Sequence, residues 1–282
     1  MSVGIFKQQL KVVARKVLPS IVRRRMGHLL GDSRTYSISY ELIQEWPEQS
    51  VQSSWVKPSV TARYKEGAKS FDRNVKMQSP EAVFQSPVYR DNIEALSNID
   101  LSNATLLDFG CANGAYRSIL ATHPVTKNWK YVGADVNAEL VEFCRVNYPN
   151  NRFELIDKDN ALPFKDDEFD VIFASGVVQY IKDYVTIISG LRRITKDYFV
   201  ISRLPLWKYN KTQVVLQHVY HEWGEEHHPI HVFNRNGIEV ALAHLGFSIL
   251  WHDYGSEFFY VPGVAEPAVH NAYLLRKNRT KC

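Results

Sequence analysis

Beyond residue 103 the chain alternates short apolar runs with stretches of helical periodicity. Ala104–Phe109, Tyr131–Asp135, Arg152–Ile156, Phe169–Ala174 and Tyr198–Ser202 are apolar runs bounded by polar turns and read as strands. Between them, 115–122, 137–147 and 179–194 read as helices. This order implies βαβ units, hence a parallel sheet with helices on both faces. A helix at about 234–245 then precedes strands at 248–254 and 268–276, the pattern of an antiparallel hairpin at a sheet edge. Upstream, Phe6, Leu10, Val13 and Val17 form one helical stripe. Residues 32–100 are polar and mixed, with scattered aromatics such as Tyr36, Tyr40, Trp46, Tyr64 and Tyr89, which suggests short helices and loops forming a cap. The expected division is a basic N-terminal helix (1–30), a helical and loop cap (31–100) and an α/β domain (101–282).

Charge sharpens that division. The 282 residues carry 34 Lys+Arg against 30 Asp+Glu, for a net +4. Residues 1–30 hold Lys7, Lys11, Arg15, Lys16, Arg23, Arg24 and Arg25 and no acid, so the rest of the chain is mildly acidic. A duplex-binding surface needs a basic face, which leaves no nucleic-acid partner expected. An amphipathic basic helix suits a peripheral contact with an anionic membrane; a helix docked on the core and a transit peptide are the other readings of this segment. Three scattered cysteines and no apolar run long enough to span a bilayer point to a cytoplasmic protein without a disulfide framework.

The strongest chemical signal is Leu106-Leu107-Asp108-Phe109-Gly110-Cys111-Ala112-Asn113-Gly114: a strand ending in an acid, then a turn of small residues opening a helix. Small residues let backbone pass close to a ligand, and a helix start offers unpaired N–H groups. The second strand ends in Asp135, where a carboxylate accepts hydrogen bonds from ribose hydroxyls in nucleotide-binding α/β folds. The third leads to Asp159 and Asn160 in Asp157-Lys158-Asp159-Asn160-Ala161-Leu162-Pro163-Phe164, and the fourth ends in Ser175. Ligands of open parallel sheets bind at such carboxyl ends. A Rossmann dehydrogenase wants G-x-G-x-x-G here, whereas the loop reads G-C-A-N-G after an acid.

In these motifs, spanning residues 106–175, the sequence resembles the class I S-adenosylmethionine-dependent methyltransferases. The resemblance implies a Rossmann-like, seven-stranded, mostly parallel sheet with an antiparallel C-terminal strand, and S-adenosyl-L-methionine as cofactor. It also implies a cofactor site built from Asp108, Gly110, Ala112, Gly114, Asp135, Asp159, Asn160 and Ser175. Gly110, Ala112 and Gly114 would approach the methionine portion, Asp135 the ribose, and Asp159 with Asn160 the adenine; Ala112 stands where the family has a glycine. A narrower resemblance runs through Lys16-Val17-Leu18-Pro19, Val178-Gln179-Tyr180-Ile181, Ile201-Ser202-Arg203-Leu204-Pro205 and Val232-Phe233-Asn234-Arg235. These are similar to methyltransferases associated with bacterial O-antigen and other surface-polysaccharide gene clusters. That implies O-methylation of a sugar or small-molecule acceptor. A silent domain that keeps the fold as an interaction module is the alternative, against which the intact loop and acids argue.

A hydroxyl acceptor benefits from a general base. The candidates are Gln179, Tyr180 and Arg203 after the fourth and fifth strands, and the histidine-rich stretch 218–231, within which His221 and His228 are the expected bases. His218 and His221, three apart on a helix, with Glu222 and Glu225, are metal-ligating types, but the spacing is unspecific and no metal is expected. Cys111 and Cys144 read as structural.

Overall fold

The computed structural model describes residues 36–47, 57–77, 87–156, 162–221 and 224–279. In chain order the elements are β1 (Tyr36–Ile43), α1 (Pro58–Met77), α2 (Pro87–Ser97), β2 (Thr105–Phe109), α3 (Ala115–Leu120), β3 (Lys130–Asp135), α4 (Ala138–Asn147), β4 (Arg152–Leu155) and β5 (Phe169–Ser175). A 3-10 turn (Val178–Tyr180) follows, then α5 (Tyr184–Ile194), β6 (Thr195–Trp207), β7 (Gln213–His221), β8 (Gly224–Asn234), α6 (Arg235–His244), β9 (Phe247–Phe259) and β10 (Ala268–Lys277).

The sheet runs β4-β3-β2-β5-β6-β10-β9, parallel from β4 to β6, with β10 antiparallel to both neighbours. The late pair is the expected antiparallel hairpin at the sheet edge: β10 pairs with β6, and β9 takes the edge. Strands buried on both faces read as apolar runs, and here alternate residues divide between two cores. Leu107, Ile172, Phe199 and Ile201 face α5 and α6 through Ile187, Leu191 and Leu242. Leu106, Val171, Phe173 and Val200 face the opposite layer, where α2, α3 and α4 contribute Leu96, Ile119 and Val141. Where the sequence suggested one helix over 179–194, the 3-10 turn ends at Tyr180 and α5 starts only at Tyr184. Asp183 caps it by accepting from the Thr186 N–H at 3.1 Å.

Three strands extend the sheet beyond the expected seven, giving ten among the described residues. The long β6 carries β8 alongside its far end (Leu206↔Phe233, Trp207↔Asn234); β7 pairs antiparallel with β8, and β1 with β7. Their own core is Trp207, Val215, Ile230 and Val232, packed with Tyr40 and Tyr180. The histidine-rich stretch is thus a β-hairpin, not a helix or loop, so the spacing of His218 and His221 has no helical meaning. The first 35 residues, and with them the basic segment, lie outside the described residues. Among those described, no helix is long and apolar enough to cross a membrane.

Candidate active site

The turn after β2 is built from left-handed backbone. Gly110, Ala112 and Gly114 have φ of 76°, 48° and 71°. For Gly110 the lack of a side chain is also steric, because a Cβ would lie 2.4 Å from Val177 Cγ2. Ala112 keeps the same backbone region despite its methyl group, a strained state. The strain is held by hydrogen bonds: the N–H groups of Gly110 and Cys111 donate to Ala134 O at 2.7 and 3.0 Å, and that of Ala112 to Asp135 Oδ2 at 2.8 Å.

Asp135 ends β3 with its carboxylate against this turn. Its other oxygen accepts from the Asn137 N–H at 2.9 Å, and burial raises its pKa against the lowering effect of these bonds. Asn137 caps α4 by accepting from Leu140 N–H at 3.1 Å and donates to Thr61 of α1 at 2.9 Å. Asn113 donates to the Tyr64 carbonyl at 3.0 Å, so α1 is tied down beside the loop at both ends of the turn. Asp108 lies beneath it, 2% exposed, accepting from the Tyr131 hydroxyl at 2.6 Å; burial pushes its pKa to about 7. Ser175 ends β5 and meets Tyr116 (3.0 Å) and Asn92 (3.2 Å). Asp159 and Asn160 lie outside the described residues. The Cys111 thiol is pushed up by hydrogen bonding to Cys144 and by burial, in keeping with a structural role.

On the other side of α1 the β7–β8 hairpin supplies a buried polar group. His228 is 1% exposed, and its Nε2 lies 3.0 Å from Glu226 Oε2, which also accepts from Arg63 at 3.0 Å. Burial lowers the His228 pKa, with the bond to Glu226 opposing. Tyr180, on the 3-10 turn, donates to Gln217 at 3.0 Å, and its ring meets that of His228 edge-on at 6.0 Å. His221 closes β7, and its side chain lies outside what the structure describes; Glu222 lies outside the described residues altogether. Tyr64 connects the two sides. Burial raises its phenol pKa, and it feels the charges of Arg63, Asp135, Glu226 and Arg203. Arg203 is also in the left-handed region, at φ 52°, and acts on Tyr116, Tyr180 and His270; burial and its charge hold His270 down at about 4.

Residues 100–235 match the family model described as a methyltransferase domain. That stretch is thus similar to a methyltransferase domain. Its architecture is the S-adenosylmethionine-dependent methyltransferase fold, as three solved structures illustrate. A chain from the complex between the Haloferax volcanii Trm112 methyltransferase activator and a methyltransferase aligns with a TM-score of 0.54 at 14% identity, over 83% of this chain and 100% of that one. An S-adenosylmethionine-dependent methyltransferase from Clostridium acetobutylicum gives 0.51 at 15% identity, over 77% and 100%. The Burkholderia thailandensis 1,6-didemethyltoxoflavin-N1-methyltransferase, with its substrate and S-adenosylhomocysteine bound, gives 0.50 at 12%, over 84% and 95%. No curated protein sequence matches significantly.

The donor set of the methyltransferase domain suits that cofactor. Both Asp135 oxygens accept backbone N–H groups, so the carboxylate is held rigid at the carboxyl end of β3, where a ribose would need an acceptor. Sequence reading missed Arg63, Tyr64 and Glu226. The first two sit on a helix with no motif, whereas Glu226 and His228 stand two apart, the spacing that shares one face of a strand.

Proposed function

We propose that this protein transfers a methyl group to a hydroxyl of a small-molecule or sugar acceptor. S-adenosylmethionine, when bound, supplies the methyl on a sulfonium sulfur. Asp135 accepts the ribose hydroxyls, the backbone of Gly110, Ala112 and Gly114 faces the methionine portion, and Asp159 with Asn160 receives the adenine. Asp108 supports the loop from beneath through Tyr131, and Ser175 closes the floor at the end of β5. The acceptor lies between Tyr64, Tyr180 and Arg203, with His228 as general base. His228 is favoured over His221 because its lowered pKa keeps the imidazole neutral near pH 7 and because a carboxylate backs it. The pairing of His228 Nε2 with Glu226 fixes the orientation of the ring. Tyr180 orients the acceptor from the 3-10 turn.

The observation that carries this reading is Tyr64, whose surroundings join Asp135 on the cofactor side to Arg63, Glu226 and Arg203 on the hairpin side. A surface-glycan acceptor, reached at the membrane through the basic residues 1–30, rests on the sequence resemblance alone. The reading is tested by titrating S-adenosylhomocysteine into the purified protein calorimetrically. Wild type should bind, and Asp135→Ala should bind at least tenfold more weakly through loss of charge-assisted bonds to ribose. Equal affinities would overturn the ribose assignment, and no binding by wild type would overturn the enzyme reading. With a hydroxyl acceptor that turns over, His228→Gln should lose 10²-fold or more in kcat.

A further inference from the structure

The outer face of the β1–β7–β8 sheet carries a second group of titratable side chains, on the opposite side from His228. Along β8, Glu226 and His228 are buried while Glu225 and His227 are exposed, the period-two pattern of a strand. His218 and His227 are direct cross-strand partners, so their side chains share one face. Their Nδ1 atoms lie 2.8 Å apart. Each ring turns its other nitrogen toward a carboxylate: His218 Nε2 is 3.4 Å from Glu41 Oε2 on β1, and His227 Nε2 is 3.4 Å from Glu225 Oε1. One donor atom from each of His218, Glu225 and His227 falls within 4.8 Å of the other two.

We propose that His218, His227 and Glu225 bind a late first-row divalent cation, with zinc the ion their chemistry fits best. Two imidazole nitrogens facing each other at this distance need one proton between them; a cation taking both lone pairs replaces that proton. Zn–N bonds of about 2.0–2.1 Å in tetrahedral geometry place ligand nitrogens about 3.3 Å apart, so the rings need to separate by only about half an ångström. Glu225 supplies an oxygen after a change of its side-chain torsions, and the exposed face leaves the fourth position to water. Glu41 Oε2, 3.4 Å from His218 Nε2, places a carboxylate behind the ligating ring, the kind of outer partner that orients a metal-bound imidazole. Magnesium and calcium prefer all-oxygen sites, which excludes them here. The hairpin register, not helical spacing, brings these ligands together. The ion would clamp β7 to β8, whose inner face holds Glu226 and His228. It does not depend on the proposed reaction.

The test uses tag-free, full-length protein dialysed against zinc chloride, with cobalt chloride as a spectroscopic probe. Wild type should take up one equivalent of zinc with micromolar or tighter affinity, show visible cobalt absorption of a four-coordinate site, and gain several degrees in Tm with zinc. His218→Ala and His227→Asn should each weaken binding at least tenfold and abolish the Tm gain. His244→Ala and His252→Ala, elsewhere on the surface, should leave both unchanged. Circular dichroism and unchanged Tm without metal establish that the variants fold; a variant that does not is replaced by Glu225→Gln, for which the same loss is expected. Zinc uptake below one equivalent, or uptake equal in wild type and in the folded ligand variants, overturns the proposal.

Discussion

Asp108 shows how far one buried carboxyl can depart from its ordinary chemistry. Its pKa stands at about 7 instead of 3.8, chiefly because burial disfavours the anion, while the Tyr131 hydroxyl opposes that shift and the Asp135 charge adds to it. The folded protein therefore holds this proton to higher pH than the unfolded chain does. Its contribution to stability is complete below about pH 4 and is lost as pH rises through 7. Asparagine cannot ionise and still offers Tyr131 an acceptor, so Asp108→Asn should be more stable than wild type at pH 8, by at most about 4 kcal/mol. The gap should close as pH falls to 4. Urea unfolding at pH 4, 6 and 8 checks this; a gap independent of pH would show that ionisation is not its source. Nearby, the left-handed Ala112 costs on the order of 1–2 kcal/mol that a glycine would not, and the turn retains it through bonds to Ala134 and Asp135.

At the scale of elements, the β7–β8 hairpin holds a polar group in a place where packing alone would favour apolar side chains. Glu226 is fully buried and shared between Arg63 and His228. Arg63→Ala removes the formal cation of that trio from a fully buried carboxylate. Such a loss costs about 3–5 kcal/mol in general, and the low end applies because the Arg63 side chain is 23% exposed. Arg63→Met with Glu226→Gln removes both charges together and should recover at least half of the loss. Chemical denaturation of the single and double variants decides it: a double variant no better than Arg63→Ala would mean the arginine acts through packing. The same polar group explains which strands were legible. β2, β3, β5 and β6 are buried on both faces and declare themselves as apolar runs. In β7 and β8 the inward positions include Gln217, Glu226 and His228, so an alternation that ends in Val215, Ile230 and Val232 reads as a polar loop. β1 was legible in principle: Tyr36, Ile38, Tyr40 and Leu42 alternate with Ser37, Ser39 and Glu41, a period overlooked in a polar region. The glycine turn and Asp135 were legible because their spacing follows consecutive strands. Arg63 and Tyr64 reach the site through the packing of α1, which no local pattern encodes.

For the whole molecule, charge is divided along the chain: seven basic residues and no acid fall in 1–30, leaving the remainder slightly acidic. An acidic body is repelled by an anionic bilayer, so any membrane attraction must come from the first segment. Each basic side chain near such a surface contributes about 1 kcal/mol, which for seven is ample for peripheral association even if half of them engage. Screening shortens the reach of these charges from about 8 Å at physiological salt to about 3 Å at 1 M. The full chain should therefore cosediment with vesicles containing phosphatidylglycerol in 0.1 M salt, and far less at 1 M or with neutral phosphatidylcholine vesicles. A chain lacking residues 1–30 should stay in the supernatant under all these conditions. Its affinity for S-adenosylhomocysteine should remain within twofold of the full chain, since Asp135 and the glycine turn are held by contacts among residues 57–156. Equal sedimentation of both chains would place the membrane contact on the folded body, and weakened cofactor binding by the shorter chain would mean that the basic segment packs against the site instead of positioning it.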